Sequence, residues 1–150
     1  MKSYRIAQNT VNISDLRKHL ILCSEHFFPP LKTYVNVNDY AKKIYDKAET
    51  FEMWSSNKLI SLIACYFNEE DLKEVYITNI STIPGYQGLH LATTLLEEVK
   101  KQAKKRKIYT INLQVKKVNY KAISYYRKQG FQFNEILSSD DSYGMSLNQF

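Results

Sequence analysis

ITNISTIPGYQGLHLATTLLEEV, residues 77–99, contains the most informative pattern in the chain. It begins with β-branched residues typical of a strand, passes through a short loop that contains Pro84, Gly85 and Gly88, and then becomes helical. The apolar face of the predicted helix is formed by Leu91, Leu95, Leu96, Val99 and Ala103. The first amides of a helix have no acceptor within it and carry the positive end of its dipole. The stretch therefore predicts a phosphate or pyrophosphate site, although a connection that binds no ligand has the same local pattern.

The strand that leads into this loop changes its apolar period partway along. Its apolar positions are Val75, Ile77, Ile80 and Ile83. One extra residue near Thr78 or Asn79, which is a β-bulge, accounts for the change of parity, and bulges often re-aim groups at functional sites. The alternative interpretation is a regular strand in which Asn79 faces solvent.

The elements on either side of this stretch predict the fold class. The predicted strands cover residues 4–7, 51–55, 59–67, 74–83, 108–115, 131–136 and 143–147. The first strand is followed by two helices, for which Ser14 and Asn38 are the predicted N-caps, and a further helix spans residues 119–129. The resulting order, β-α-α-β-β-β-α-β-α-β-β, predicts an α/β (α+β) fold with a mixed, mostly antiparallel central sheet flanked by helices.

Length and composition predict a single domain over residues 1–150. The chain is 44% hydrophobic and 24% charged, which is close to the average of globular proteins. The N-terminal segment lacks the apolar run of a signal peptide, and the longest apolar stretch, residues 59–67, is too short to cross a bilayer. We therefore expect a cytoplasmic protein with no membrane partner. Cys23 and Cys65 lie in apolar patterns without metal-ligand spacing, so we expect buried free thiols and no metal site.

The net charge of +6 is concentrated in the run KKQAKKRK, residues 100–107. Charge alone would suggest nucleic acid as a partner, but this run ends a predicted helix, where cations interact favourably with the last carbonyl groups. It is accompanied by no zinc-finger, RNP or basic-zipper spacing, so we do not expect nucleic acid to be the main partner. An anionic ligand, such as a nucleotide-bearing cofactor, would use the same charge.

A second stretch, NYKAISYYRKQGF at residues 119–131, joins the first in resembling a known family. Both stretches are similar to motifs of the GNAT superfamily of acyl-CoA-dependent N-acetyltransferases. The coenzyme motif P-x-[YF]-[QR]-x-x-G-x-[GA] is matched at Pro84, Tyr86, Gln87 and Ala92, preceded by the aliphatic Ile83. The motif N-x-x-A-x-x-[LF]-Y-x-[KR]-x-G-F is matched at Asn119, Ala122, Tyr126, Lys128, Gly130 and Phe131. One helix and one strand separate the two motifs, as in that superfamily.

The resemblance implies acetyl-CoA as the acyl donor and a location for it. The fourth and fifth strands of the family splay apart, and the pantetheine arm lies beside the fourth strand, here near Ser81 and Ile83. The diphosphate is implied to bind the amides of Gln87, Gly88, Leu89, His90, Leu91, Ala92 and Thr93. Asn119 is implied to hydrogen-bond the coenzyme from the other side.

His90 departs from the family pattern, because a glycine usually stands at this position. One interpretation is that the imidazole points outward and the position tolerates it. The other is that the imidazole helps to hold a phosphate.

Two catalytic residues are predicted. Tyr126 matches the general acid of the family, which protonates the departing thiolate, while the alternative is a core tyrosine; its neighbour Tyr125 is expected to point elsewhere and to be structural. The resemblance implies direct attack by an amine, with the oxyanion met by a backbone N–H in residues 79–81. Glu74, which opens the fourth strand, is the predicted general base, and the alternative is a solvent-facing residue at a strand end.

The acceptor side is predicted from the segment between the first two helices. In the superfamily this region forms one wall of the acceptor pocket, here Phe27, Phe28 and Leu31, with His26 and Tyr34 nearby and Asn79 opposite. The predicted activity is transfer of acetyl from acetyl-CoA to a primary amine of a small molecule, an amino sugar or a protein. The alternative is a non-catalytic acyl-CoA sensor or scaffold of the same fold. We expect a monomer or a homodimer.

Overall fold

The computed structural model describes residues 3–148 and residue 150. The helices are α1 (Ile13–Ser24), α2 (Val37–Lys47), α3 (Leu91–Lys105) and α4 (Tyr120–Lys128). The strands are β1 (Arg5–Gln8), β2 (Glu49–Ser55), β3 (Lys58–Asn68), β4 (Glu74–Thr82), β5 (Ile111–Lys116), β6 (Gln132–Asn134) and β7 (Ser142–Leu147). Single 3₁₀ turns cover Leu31–Thr33 and Glu135–Leu137. The predicted order of helices and strands and the α/β class are confirmed.

The sheet has the strand order β1-β2-β3-β4-β5-β7-β6. Within the described chain, β4 and β5 form its one parallel pair, and every other neighbouring pair is antiparallel. The sheet is therefore mixed and mostly antiparallel, as the sequence predicted.

Helices cover both faces of the sheet. On one face the core includes Leu95, Leu96 and Val99 of α3, and on the other it includes Leu16 and Leu20 of α1. Strand β3 contributes to both cores and is buried from residue 59 to residue 65, because it lies in the middle of the sheet. None of the helices in the described part of the chain is long and apolar enough to cross a membrane.

The predicted ends of several elements were wrong by a few residues. The helix N-caps are Asn12 and Asn36 rather than Ser14 and Asn38, because their side-chain oxygens accept from Asp15 N at 2.8 Å and Asp39 N at 3.0 Å. Strand β5 begins at Ile111 rather than at residue 108. Residues before it complete the end of α3, since Ile108 N donates to Ala103 O at 2.8 Å.

A β-bulge interrupts the pairing of β3 with β4. Asn79 lies opposite Ala64 and Ile77 lies opposite Cys65, so Thr78 is the extra residue. This confirms the predicted bulge, and the alternative in which Asn79 faces solvent is wrong, because Asn79 is only 5% exposed. At the bulge, Thr78 Oγ1 lies 2.9 Å from the Tyr40 hydroxyl of α2, and Asn79 Oδ1 accepts from Ser81 Oγ at 2.7 Å.

Strands β4 and β5 separate beyond their first few residues. They pair only where residues 75–77 lie beside residues 111–113, and β4 then continues to Thr82 while β5 continues to Lys116. The splay that the family resemblance implied is therefore present. It opens the sheet at the carboxyl ends of these two strands, in front of α3 and α4.

Candidate active site

Two adjoining cavities occupy this opening. The first, of about 410 Å³, is here called the α3 groove; its walls are the end of β4, the loop at residues 86–88, the start of α3, and α4. The second, of about 290 Å³, is here called the β4–β5 cavity; its walls are residues 76–80, residues 113–116 and the segment between α1 and α2. The two cavities share four wall residues, namely Phe27, Ile80, Asn119 and Tyr126.

The α3 groove contains the predicted anion site. Within α3 the first backbone hydrogen bond runs from Thr94 N to His90 O at 3.1 Å, so the amides of residues 91–93 have no acceptor in the helix, and no side chain caps it. Gly88 has φ +79° with open space where a Cβ would stand, so a ligand can approach its backbone closely. Lys121 adds an ammonium to the wall. These groups suit a phosphate or pyrophosphate.

His90 adopts a left-handed backbone conformation, with φ 60° and ψ 25°. A side chain disfavours this region and glycine does not, which explains why the family usually has glycine at this position. The imidazole is exposed and lies on the wall of the α3 groove. Both interpretations of its role therefore stay open.

Most of the residues predicted to hold the coenzyme line the α3 groove. They are Ser81, Gln87, Gly88, His90, Leu91, Ala92, Thr93 and Asn119. Ile83 and Leu89 do not line it. Ile83 is 1% exposed in the core, its N–H donates to Ile60 O at 3.0 Å, and its carbonyl accepts from Tyr86 N at 3.2 Å, so its backbone is already used within the chain. Leu89 lies off the wall of the groove and is 50% exposed.

The predicted acceptor residues are only partly brought together. Phe27, Leu31 and Asn79 line the β4–β5 cavity, whereas Phe28 is 61% exposed and lies off its wall. Glu74 is also off the wall, at the start of β4, where its carboxylate accepts a hydrogen bond from Asn112 Nδ2. The predicted base is thus held at one end of the site rather than inside it.

Several wall residues of the β4–β5 cavity escaped prediction from the sequence. The clearest is Tyr40 of α2, whose hydroxyl donates to Thr78 O at 2.6 Å and thereby ties α2 to the bulge. Burial raises the pKa of Tyr40 to about 12. Tyr76 and Val115 also belong to the wall. The helical period of α2 indicates that Tyr40 lies on the face of the helix that packs against the protein. It does not indicate which strand the Tyr40 side chain contacts.

Tyr126 lies where the two cavities meet. Its ring is half buried and packs edge-on against Tyr125 and Phe131, at 5.6 and 5.8 Å between ring centroids. Burial, and then the neighbouring tyrosines, raise the pKa of Tyr126 above its ordinary value. The hydroxyl makes no hydrogen bond to any residue in the described part of the chain, and its raised pKa keeps it protonated near neutral pH. Its catalytic role stays a prediction.

Tyr125 does not point away from the site, which corrects the expectation from the sequence. Its ring lines the α3 groove, and its hydroxyl lies 2.9 Å from Thr93 Oγ1 on the opposite helix. The pair joins α4 to the first turn of α3, so Tyr125 shapes the groove that Tyr126 adjoins.

A buried histidine supports the wall of both cavities from behind. His19 of α1 lies with Nδ1 3.2 Å from Leu59 O and Nε2 2.8 Å from Ser81 Oγ. A neutral imidazole carries one proton, so only one of these two ring nitrogens donates. Ser81 Oγ also lies 2.7 Å from Asn79 Oδ1. Burial lowers the pKa of His19 to about 4, so the ring is neutral at pH 7 and fastens α1 to β3 and β4.

Together the fold and the site have the features of a coenzyme-dependent acyltransferase: an open helix start, a splayed pair of strands and a phenol between two cavities. Residues 13–131 match the model of the family described as the acetyltransferase (GNAT) family. The chain therefore belongs to the GNAT acetyltransferase family. Enzymes of this family take the acetyl group from acetyl-CoA, so the expected acyl donor is confirmed.

Solved structures share the fold at low sequence identity. The PaiA N-acetyltransferase of Thermoplasma acidophilum, in complex with coenzyme A, is 18% identical, with a TM-score of 0.75 over 97% of this chain and 99% of its own. The ribosomal-protein-S18-alanine N-acetyltransferase of Escherichia coli is 20% identical, with a TM-score of 0.75 over 99% and 96%. An acetyltransferase of Streptococcus agalactiae is 18% identical, with a TM-score of 0.80 over 99% of both chains. No curated protein sequence matches this chain significantly.

Proposed function

We propose that residues 1–150 form one N-acetyltransferase domain that transfers the acetyl group of acetyl-CoA directly to a primary amine. The observation that carries this proposal is the meeting of two cavities at the phenol of Tyr126. One cavity has the groups that a coenzyme diphosphate needs, and the other is large enough for a small amine or the end of a peptide. Location in the cytoplasm and a monomeric or homodimeric state remain predictions from the sequence.

The α3 groove is the proposed site of acetyl-CoA. The free amides of residues 91–93 and the ammonium of Lys121 suit its phosphates, while residues 80–82 of β4, which line the groove and do not pair with β5, suit its extended arm. Asn119 faces the groove from the start of α4, where its Oδ1 also accepts from Ala122 N at 3.2 Å. Bound there, acetyl-CoA supplies an acetyl group activated as a thioester.

The proposed chemistry forms a C–N bond, breaks a C–S bond and moves one proton from nitrogen to sulfur. Tyr126 is the proposed general acid, since its raised pKa keeps the phenol protonated at neutral and mildly alkaline pH. A backbone N–H in the bulged segment, residues 79–81, is the proposed donor to the carbonyl oxygen as it becomes negative.

Glu74 remains the proposed general base, with water as the link. On β4, Glu74 stands two residues before Tyr76, and both residues precede the bulge. Tyr76 lies on the wall of the β4–β5 cavity. In this proposal a proton leaving the amine reaches Glu74 through one or more water molecules.

Binding and turnover test the proposal in sequence. Calorimetric titration should detect binding of acetyl-CoA but not of NADH or ATP. Free thiol should then be released from acetyl-CoA only when an accepted amine is present. Binding without turnover for any amine would favour the non-catalytic sensor, and the absence of acetyl-CoA binding at high micromolar concentration would contradict both interpretations.

A further inference from the structure

The β4–β5 cavity is the space next to the predicted acid that the coenzyme groove leaves free. It touches Tyr126 on one side and extends between the splayed strands to Lys116. If the proposed function holds, the molecule that enters this cavity carries the acceptor amine. The cavity wall should therefore be chemically complementary to this acceptor.

Hydrocarbon surfaces form a large part of that wall. Leu31 and Val35 lie on the side of the helices, and Leu113 and Val115 lie on β5. The volume of about 290 Å³ is at the small end of ligand cavities, which range over roughly 300–1,000 Å³. A compact acceptor with an apolar body fits these walls.

Phenols supply many of the polar groups of the wall, and they are uncharged. Burial raises the pKa values of Tyr34, Tyr40 and Tyr76, so none of these hydroxyls becomes an anion near neutral pH. Their rings offer flat surfaces on which an aromatic group can pack.

The one charged side chain among the described wall residues is Lys116, which is already paired with a carboxylate. Lys116 Nζ lies 4.6 Å from the centroid of the Tyr34 ring and 3.0 Å from Asp141 Oδ2, with only 25% of the lysine side chain exposed. The described wall residues therefore include an ammonium and no carboxylate. A second positive charge on the acceptor would lose part of its water there without gaining a carboxylate from the described wall residues, since the carboxylate of Asp141 is paired with Lys116.

From this wall we infer that the acceptor is a compact monoamine whose amine is carried on an uncharged, apolar group of about one aromatic ring, and not a polyamine or a cationic peptide. The inference rests on the proposed function. It adds the substrate class, which neither the fold nor the family specifies.

A matched pair of amines tests the inference. 4-Ethylbenzylamine and 4-(aminomethyl)benzylamine have the same number of heavy atoms and differ in that the second carries another ammonium. With acetyl-CoA turnover followed as free thiol, the monoamine should have a kcat/KM at least about a hundredfold higher, since an unpaired buried charge is strongly disfavoured.

A charge introduced on the wall should shift this preference. Gln114 is exposed on the wall, and its Nε2 donates to Leu137 O at 2.6 Å. In Gln114→Glu the carboxylate is repelled by that carbonyl and offers a partner to a second ammonium. The kcat/KM of the diamine relative to the monoamine should rise about tenfold. Gln132→Glu, on the exposed strand β6, adds the same charge elsewhere and should leave the ratio unchanged.

If Gln114→Glu does not fold, Lys116→Gln gives a second test, because it removes the wall cation and frees the Asp141 carboxylate, and it too should raise the relative rate of the diamine. Preference of the wild-type chain for the diamine, an amino sugar or a cationic peptide over the monoamine would overturn the inference while leaving the proposed function intact. Absence of thiol release with every amine would contradict both the inference and the proposed acetyltransferase activity.

Discussion

Tyr126 is a half-buried phenol at the junction of the α3 groove and the β4–β5 cavity, and its raised pKa suits a proton donor. Tyr126→Phe keeps the ring that packs against Phe131 and removes only the hydroxyl. We expect kcat to fall roughly a hundredfold, because general acid catalysis typically contributes at least that much, while acetyl-CoA affinity stays near wild type. Pre-steady-state thiol release, in which chemistry is observed directly, checks this.

The control for Tyr126 has to come from outside the site. Tyr125→Phe is unsuitable, because it removes the contact with Thr93 across the α3 groove. Tyr120→Phe is suitable, since Tyr120 is 74% exposed on the same helix and lines neither cavity of the site. Equal rates for wild type and Tyr126→Phe would leave water or another side chain as the acid.

His19 makes stability depend on pH in a defined window. Its pKa is about 4 in the folded chain and about 6.5 in an unfolded one, so the unfolded chain binds more protons between these values. Stability due to the neutral ring is complete above pH 6.5 and is lost as the pH falls to 4, by up to about 3 kcal/mol. Denaturant titrations over this range should show the loss, and His19→Gln should abolish that part of the slope.

The matched control is His26→Gln, because His26 is exposed and near the end of the same helix. It should retain the pH dependence of wild type. A His19→Gln variant with an unchanged slope would mean that His19 is not buried in the neutral form.

His90 contributes strain that a glycine would relieve. Its φ of 60° costs a side-chain-bearing residue roughly 1 kcal/mol, and His90→Ala keeps the Cβ that causes this cost. His90→Gly should therefore be more stable than His90→Ala by about 1 kcal/mol, less the greater entropy of glycine in the unfolded chain. Chemical denaturation of both variants measures the difference, and an alanine variant clearly more stable than the glycine variant would contradict the left-handed conformation.

At the scale of elements, one carboxylate anchors the segment between β1 and α1. Glu52 of β2 is fully buried and accepts from Thr10 N at 2.9 Å, Val11 N at 3.2 Å and Trp54 Nε1 at 3.0 Å. Burial alone would raise its pKa, but hydrogen bonds from Thr10, Thr50 and Trp54 outweigh this and lower it. The contacts thus stabilise the folded chain when Glu52 is ionised, and this stabilisation is lost as the pH falls through its lowered pKa.

Glu52→Gln tests the anchor. The amide group of glutamine would point a donor at other donors, and hydrogen bonds to a charged acceptor are worth about 1.5–3 kcal/mol each, so we expect a loss of at least about 2 kcal/mol in unfolding free energy. Glu49→Gln on the same strand is the control; it weakens the ion pair with Arg106, at 2.6 Å, which is partly exposed and should cost less. A smaller loss for Glu52→Gln than for Glu49→Gln would contradict the anchor.

Periodicity predicted which elements form but not their ends. Ser14 and Asn12 both carry an oxygen that can cap a helix, and they stand two residues apart, so local propensity does not separate them. The structure begins α1 where Asn12 reaches Asp15 N, at 2.8 Å. By contrast, the bulge at Thr78 was predictable, because a change of parity in an otherwise alternating strand has few other physical causes.

The coenzyme side of the protein was more predictable from the sequence than the acceptor side. The loop before α3 and the start of α4 are each formed by one short continuous stretch of sequence. Their motifs therefore predicted most of the α3 groove. The β4–β5 cavity is built from segments distant in sequence; Tyr40 and Thr78, for example, are 38 residues apart. No local pattern encodes such a contact. For the same reason Phe28 was placed on the wall and Tyr76 was not.

The wall shared by the two cavities has a kinetic consequence. Four residues line both cavities, namely Phe27, Ile80, Asn119 and Tyr126. A ligand in either cavity therefore orders side chains that the ligand in the other cavity also contacts. Linkage requires that each ligand change the affinity of the other by the same factor. We therefore expect a ternary complex: double-reciprocal plots at several fixed amine concentrations should intersect, and the dissociation constant of the amine should depend on whether coenzyme is present. Parallel lines would instead mean that the acetyl group rests on the protein between two separate half-reactions.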